Sequence, residues 1–314
     1  MFEVITLLAV VVAVFMGFSI GSSAVPPSFG PVRSSGLMGV LRSALLAGIA
    51  AAIGAVIQGG NVASRIGTGI VPSGFTNLQA VIILSVASIL VVVSFITSYP
   101  MPTAFTVVGS VIGTSLGFGT TIDYSSVAVI IGYWLMIPFM AILIGFIVSK
   151  LLVRFFDRDN SKKLMRYLTF FMGLFVAYNA GANSVGKAVG PLAGLGFSDS
   201  FLLVLGSFSI LLGALILSPK IVAAVSFEYS NIGPRKSVAG LSTAAFLAQI
   251  GVLFGVPISF NQAIIASIIG SGMVSGDAGI GSKKLTFTVI AWVTAFILAI
   301  ILTFLISSTL QFIL

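Results

Sequence analysis

The fold this sequence predicts is all-α: a polytopic membrane protein with inverted repeats, discontinuous helices and re-entrant hairpins. Three observations predict it. Of 314 residues, 58% are hydrophobic and only 7% are charged, with a mean hydropathy of +1.21. A chain of this size cannot hide that much apolar surface within a globule that still needs a polar skin, so its solvent is lipid. Apolar runs of about 20 residues, the length that crosses a bilayer as a helix, recur along the chain. Finally, two short motifs occur twice, once in each half.

Taken in order, the apolar runs are 3–20, 37–57, 78–98, 127–149, 164–180, 201–217, 237–254 and 285–312. Between them lie 21–35, 59–74, 100–118, 181–196, 218–234 and 256–274, apolar stretches broken by Gly, Pro, Ser and Thr. Non-helical backbone at membrane depth is tolerated only when buried in protein or lining a cavity. These stretches therefore predict half-helices, unwound turns and re-entrant hairpins. The runs are long and continuous rather than ten-residue alternating strands, which disfavours a β-barrel. The 35 glycines suit close helix–helix contact in lipid.

One stretch is strongly polar. Residues 150–166 carry Lys150, Arg154, Arg158, Lys162, Lys163 and Arg166, which places them in the cytoplasm by the positive-inside rule. The net charge of +8 is thus a topology signal, not a nucleic-acid footprint, and no nucleic-acid partner is expected. Absent cysteine and histidine exclude disulfides, thiolate metal sites and the usual proton shuttle. No nucleophile–base arrangement or helical carboxylate pair is visible, so no enzyme is predicted.

The basic stretch divides the chain into 1–149 and 167–314, and the two parts repeat. Gly21-Ser-Ser-Ala-Val-Pro-Pro-Ser-Phe-Gly-Pro-Val32 aligns without gaps onto Gly181-Ala-Asn-Ser-Val-Gly-Lys-Ala-Val-Gly-Pro-Leu192, 160 residues later. Pro100-Met-Pro-Thr-Ala-Phe-Thr106 begins a stretch that aligns onto one starting at Pro257-Ile-Ser-Phe-Asn-Gln262, 157 residues later. Arg65-Ile-Gly67 pairs with Asn231-Ile-Gly233. Two halves with helix breaks at matching positions are the signature of a secondary transporter whose site lies where the breaks meet. An odd number of crossings per half would invert the halves and put both termini outside.

These motifs resemble the inorganic phosphate transporter (PiT) family, which includes sulfate permeases, over nearly the whole chain. The family carries a Gly-x-Asn-Asp-x-x-Asn-x-x-Gly-Pro motif and a Pro-Val-Ser-Thr-Thr-His hairpin in each half. The Arg65-Ile-Gly-Thr-Gly-Ile-Val71 stretch and Lys283-Lys284 also fit it. Here Ala24 and Ser184 stand where the motif has Asp. Ser23 and Pro27 replace the asparagines of the first copy. Asn183 is kept in the second copy, but Lys187 replaces its later asparagine, and Phe105 and Gln262 take the histidine positions. In the family the Asp and Asn residues serve phosphate and sodium. The resemblance implies a permease for an inorganic tetrahedral oxyanion, sulfate or phosphate, driven by cation symport through alternating access. Na+ or H+ is the candidate coupling ion, no other cofactor is expected, and a homodimer is one assembly open to it. An anion channel or uniporter on the same scaffold is the alternative.

Such an anion needs donors and positive charge in a low-dielectric site. The expectation is that helices break at Gly21 and Gly181, presenting half-helix N-termini with free N–H groups. Ser22, Ser23, Asn183 and Ser184 add side-chain donors, with Ser28, Thr103, Thr106, Ser259, Asn261 and Gln262 behind them. Lys187 lies deep in an apolar segment with no acidic neighbour in sequence. It fits two roles, a counter-charge for the anion or a lysine snorkelling to the interface. Arg65 likewise fits bidentate anion binding or an interfacial position. Of the acids, Asp123 and Asp199 read as loop or N-cap residues, Asp277 as a turn, and Glu228 as the best candidate for a buried carboxylate. Protonated phosphate benefits from a carboxylate acceptor, which would repel fully ionised sulfate. Loss of both motif carboxylates and gain of Lys187 tilt the chemistry toward sulfate, while the family resemblance tilts toward phosphate, which leaves the two close to even.

Overall fold

The computed structural model describes residues 2–97, 102–156, 162–217, 219, 233–275 and 282–313. Among them there is no strand. The first half holds α1 (Phe2–Ala24), α2 (Pro26–Ser34), α3 (Val40–Gln58), α4 (Gly60–Ser64) with a π-turn at Arg65–Gly69, α5 (Asn77–Thr97), α6 (Thr103–Gly117) and α7 (Tyr124–Phe155). The second holds α8 (Lys162–Val189) with a 3₁₀ turn at Gly190–Leu192, α9 (Asp199–Ile216), α10 (Pro234–Leu253), α11 (Phe260–Ser275) and α12 (Ser282–Ile313). Seven of the helices are long and apolar enough to cross a membrane, and α6 and α11 are shorter apolar helices.

The element order repeats. α1 and its break correspond to α8 and its break, and α3 corresponds to α9. In the same way α5 corresponds to α10, α6 to α11 and α7 to α12. Packing exchanges partners between the halves: α3 lies on α8 as α9 lies on α1, and α6 lies on α12 as α11 lies on α7.

The breaks do not fall where the motif glycines suggested. α1 runs unbroken through Gly21 to Ala24, and α8 runs unbroken through Gly181 to Val189. Proline decides the first break. Pro26 and Pro27 have no N–H, so neither can bond the carbonyl four residues back, and the chain restarts as α2 with Pro26 at its first position. In the second half the 3₁₀ turn, with Pro191 inside it, ends the helix.

The two glycines are instead crossing points. A Cβ on Gly21 would lie 2.1 Å from the Ile210 carbonyl oxygen of α9, and one on Gly181 would lie 1.7 Å from that of Ala51 in α3. The return contacts match, with Gly213 set against Phe18 and Gly54 against Tyr178 at 2.0 and 1.9 Å. No side chain fits at such a distance, so these four positions set the helix separation in both crossings.

Several expectations lie outside the described residues: the hairpin start at Pro100 and Met101, the Asn231-Ile232 pair, and Glu228, Asp157, Asp159 and Asp277. Asp123 caps α7, accepting from the Ser125 amide at 2.9 Å. At α9 the cap is Ser198, and Asp199 stands in the first turn.

Gly21→Ala and Gly181→Ala should each destabilise the protein by about 1–3 kcal/mol through overpacking. Gly132→Ala in α7, where an added Cβ meets nothing within 4 Å, should not. Thermal unfolding in detergent reads the contrast, and equal midpoints for all three variants would contradict it.

Candidate functional site

The centre of the molecule is the C-terminal third of α8, which is buried on every side from Asn179 to Val189. Asn183 there grips the second hairpin at two points. Its Nδ2 donates to the Ile258 carbonyl at 2.9 Å, and its Oδ1 accepts from the Ile258 amide at 3.1 Å. Pro257 precedes Ile258 and cannot donate, so this clamp supplies pairing that no regular element gives at the tip.

Lys187 lies one helical turn beyond Asn183 on the same face. It is 1% exposed. Among the described residues its ammonium has no hydrogen bond and no ion pair. It stands in the last turn of α8, where the helix dipole favours a cation. Nearly one turn back along α8, the Ser184 hydroxyl is buried without a partner among the described residues. The described carboxylates, Glu3, Asp123 and Asp199, all lie at helix starts, and none of them pairs with Lys187.

The other predicted residues divide. Ser22 and Ser23 turn back onto their own helix, donating to the Ser19 carbonyl at 2.7 and 3.0 Å. Ser28 and Thr106 do the same, to Val25 and Thr103 at 2.5 and 3.0 Å. The first helix break offers no array of free amides: Pro26 and Pro27 have none, and the Ser28 amide bonds the Val25 carbonyl at 3.1 Å. The anion-binding N-terminus expected there is therefore absent. α6 and α11 do begin at the hairpin tips, with Thr103 opening α6 and Ser259 just ahead of α11, and the first N–H groups of a helix have no acceptor within it. The Ser259 hydroxyl accepts from the Gln262 amide at 3.4 Å. The side chain of Asn261 lies outside what is described.

Gln262 faces α7. Its Nε2 donates at 2.9 Å to the Trp134 carbonyl, the group that Pro138, four residues on, leaves without a helix donor. The Trp134 indole N–H in turn donates to the Pro257 carbonyl at 2.7 Å. Sequence reasoning missed Trp134 and Pro138. A proline inside an apolar run was the available signal, because it orphans a carbonyl that some other group must satisfy.

Comparison with known proteins bears on the whole arrangement. Residues 20–303 match the model of the phosphate transporter family. The chain belongs to that family.

The sulfate permease CysP of Bacillus subtilis (strain 168) is 28% identical over 311 residues, covering 96% of this chain and 87% of its own length. A putative phosphate permease of Methanocaldococcus jannaschii is 22% identical, covering 96% of each chain. One of Haemophilus influenzae is 20% identical, covering 89% and 90%. A solved structure of a protein named "The sodium-dependent phosphate transporter" superposes with a TM-score of 0.88 at 20% identity, covering 99% of this chain and 100% of the other, and so shares its fold.

In this phosphate transporter family member Arg65 is structural. Its Nη1 donates to the Ser126 hydroxyl at 3.0 Å and its Nη2 to the Phe254 carbonyl at 3.1 Å. Ser126 passes the contact on, donating to the Asp123 carboxylate at 2.8 Å. The Ser125 and Ser126 hydroxyls hold the Asp123 carboxyl below its ordinary value, so it is ionised at neutral pH. Nearby, the Asn61 amide reaches the Val252 and Leu253 carbonyls, both at 3.3 Å. The π-turn, the start of α7 and the end of α10 are thus clasped at the face of the bundle opposite the basic end of α7.

Arg65→Met should leave the Phe254 carbonyl unpaired and loosen this clasp by about 1 kcal/mol, the size of a half-exposed charge-assisted contact. Amide exchange around 252–256 should then quicken roughly fivefold by the corresponding Boltzmann factor. Unchanged exchange there would show that the clasp is not closed by Arg65.

Proposed function

We propose that this protein is a secondary-active permease for a fully deprotonated tetrahedral oxyanion, sulfate in preference to phosphate. It would carry the anion with a coupling cation, Na+ or H+, by alternating access. The observation that carries this reading is the buried, unpartnered Lys187 ammonium at the end of α8. A cation at membrane depth is costly unless something neutralises it. No described carboxylate pairs with it, so in this reading the substrate is the neutralising charge.

In this reading the anion lies against Lys187 and the Ser184 hydroxyl. The free amides and hydroxyls of the hairpin tips, at Ser259 and Thr103, complete its shell. Asn183 holds the second tip in register through Ile258. Gly21, Gly181, Ser22, Ser23 and Gln262 act behind the site, as crossing points, self-bonded hydroxyls and a hairpin tie. Sulfate is favoured because it has no proton to donate, and the described residues put no carboxylate beside Lys187 to accept one. The likeness to the protein named sulfate permease CysP supports the same choice.

Residues 1–149 and 167–314 are inferred to be inverted repeats joined by the cytoplasmic stretch 150–166, with both termini outside. The exchanged packing of α3 with α8 and α9 with α1 supports this, because it places one half's helices around the other's break. Rocking of the halves about Lys187 would expose it to each side in turn. The structural neighbour is named as sodium-dependent, which supports sodium as the first ion to test.

Lys187→Met keeps the side chain's volume and removes its charge. It should weaken sulfate binding by about tenfold to a hundredfold, the worth of a charged hydrogen bond, while the protein folds and expresses. Isothermal titration of the purified protein measures it, and unchanged affinity would remove Lys187 from the site.

In proteoliposomes, sulfate should accumulate against its gradient when an inward Na+ or H+ gradient is imposed. Excess phosphate at pH 7 should compete weakly. Downhill flux alone would sink the coupled reading, and equal competition by phosphate would sink the preference.

A further inference from the structure

One feature outside the proposed transport site is a cavity of about 310 Å3 between α7 and α12. It is built from repeat-related positions. Trp134 and Trp292, Pro138 and Phe296, and Phe105 and Gln262 stand 157 or 158 residues apart, and all six line it. The cavity therefore draws its lining from corresponding positions of both halves. Its walls are aromatic: Phe105 stacks on Trp134 at 3.9 Å, and Phe296 meets Trp134 edge-on at 5.8 Å. It opens on the flank of the bundle beside Leu135 and Phe139, which are 65% and 72% exposed, so anything entering comes from the lipid phase.

The lining is almost wholly apolar, and the one amide side chain in it is left half satisfied. Gln262 is 4% exposed, and its Nε2 is committed to the Trp134 carbonyl. Its Oε1 is buried with no donor. A buried acceptor left unmade costs about 1–3 kcal/mol, which a ligand's donor would recover. None of the lining residues is charged, so an anion or a cation would be desolvated here at membrane depth without a counter-charge. The volume is at the small end of ligand pockets, roughly 300–1,000 Å3, enough for a single chain.

We propose that this cavity takes up from the membrane a neutral amphiphile, an apolar chain bearing one hydroxyl that donates to Gln262 Oε1. Such a ligand wedges between the α7 segment at Trp134 and the hairpin that Trp134 and Asn183 both hold. It is independent of which anion the protein carries.

The protein supplies its own reporter, because its two tryptophans are Trp134 and Trp292. The protein in lipid nanodiscs is titrated with 11-bromoundecanol and, separately, with 1-bromoundecane, whose bromine quenches indole emission. The alcohol should quench to saturation, and the alkane should need about tenfold more to reach half-effect, the worth of one net hydrogen bond. Gln262→Met should bring the two curves together. Val293→Phe, on the cavity wall, should remove the saturable phase while the protein unfolds at its usual temperature. Quenching that grows linearly with both compounds, or equal half-effects in the unmodified protein, would overturn the proposal, and Val293→Phe decides it should Gln262→Met fail to fold.

Discussion

Neither half of this protein packs as a unit on its own; each is completed by the other. The crossings of α1 with α9 and α8 with α3 are set by glycines lying against carbonyl oxygens, two per crossing. Lipid tails give helices no hydrophobic reason to associate, so close backbone approach supplies the attraction. Because each crossing joins one half to the other, the separation of the halves and the position of Lys187 are fixed together. A shift at either crossing would move the end of α8 relative to both hairpin tips.

The second constraint is that every polar backbone group at membrane depth needs a partner. The protein meets it with side chains borrowed across long sequence distances. Asn183 on α8 pairs both backbone groups of Ile258, and Gln262 on α11 pairs the carbonyl that Pro138 orphans on α7. These ties hold the second hairpin from two sides. The two residues that make these ties have no amide counterpart in the first half: Ser23 stands where the second half has Asn183, and Phe105 where it has Gln262. Gln262 donates to the Trp134 carbonyl, whereas Phe105 in the equivalent position stacks on the Trp134 ring. A duplicated framework has become chemically asymmetric: among the described residues the buried cation, Lys187, lies in the second half.

Much of this was legible in the chain. Composition and apolar run length gave lipid as solvent and helices as elements, because bilayer thickness and backbone pairing leave few alternatives. The duplicated motifs gave paired elements, and the resemblance they carry gave the family. Lys187 was legible as a charge with no sequence neighbour to neutralise it. The glycines misled: a Gly can loosen a helix or let two helices touch, and sequence does not say which. At Gly21 and Gly181 it is the second, and the Pro26–Pro27 pair, in plain view, made the break.

The sequence by itself determined the solvent, the helical class, the twofold plan and the residue types available for an anion, since these follow from local composition and spacing. Tertiary structure alone decided which donors are already taken. Arg65 is occupied by Ser126 and Phe254, Gln262 by Trp134, and Asn183 by Ile258, whereas Lys187 is occupied by none of the described residues. Those partners lie 61 to 189 residues away along the chain, and hydrogen bonding reaches about 3 Å, so only the folded packing brings them together.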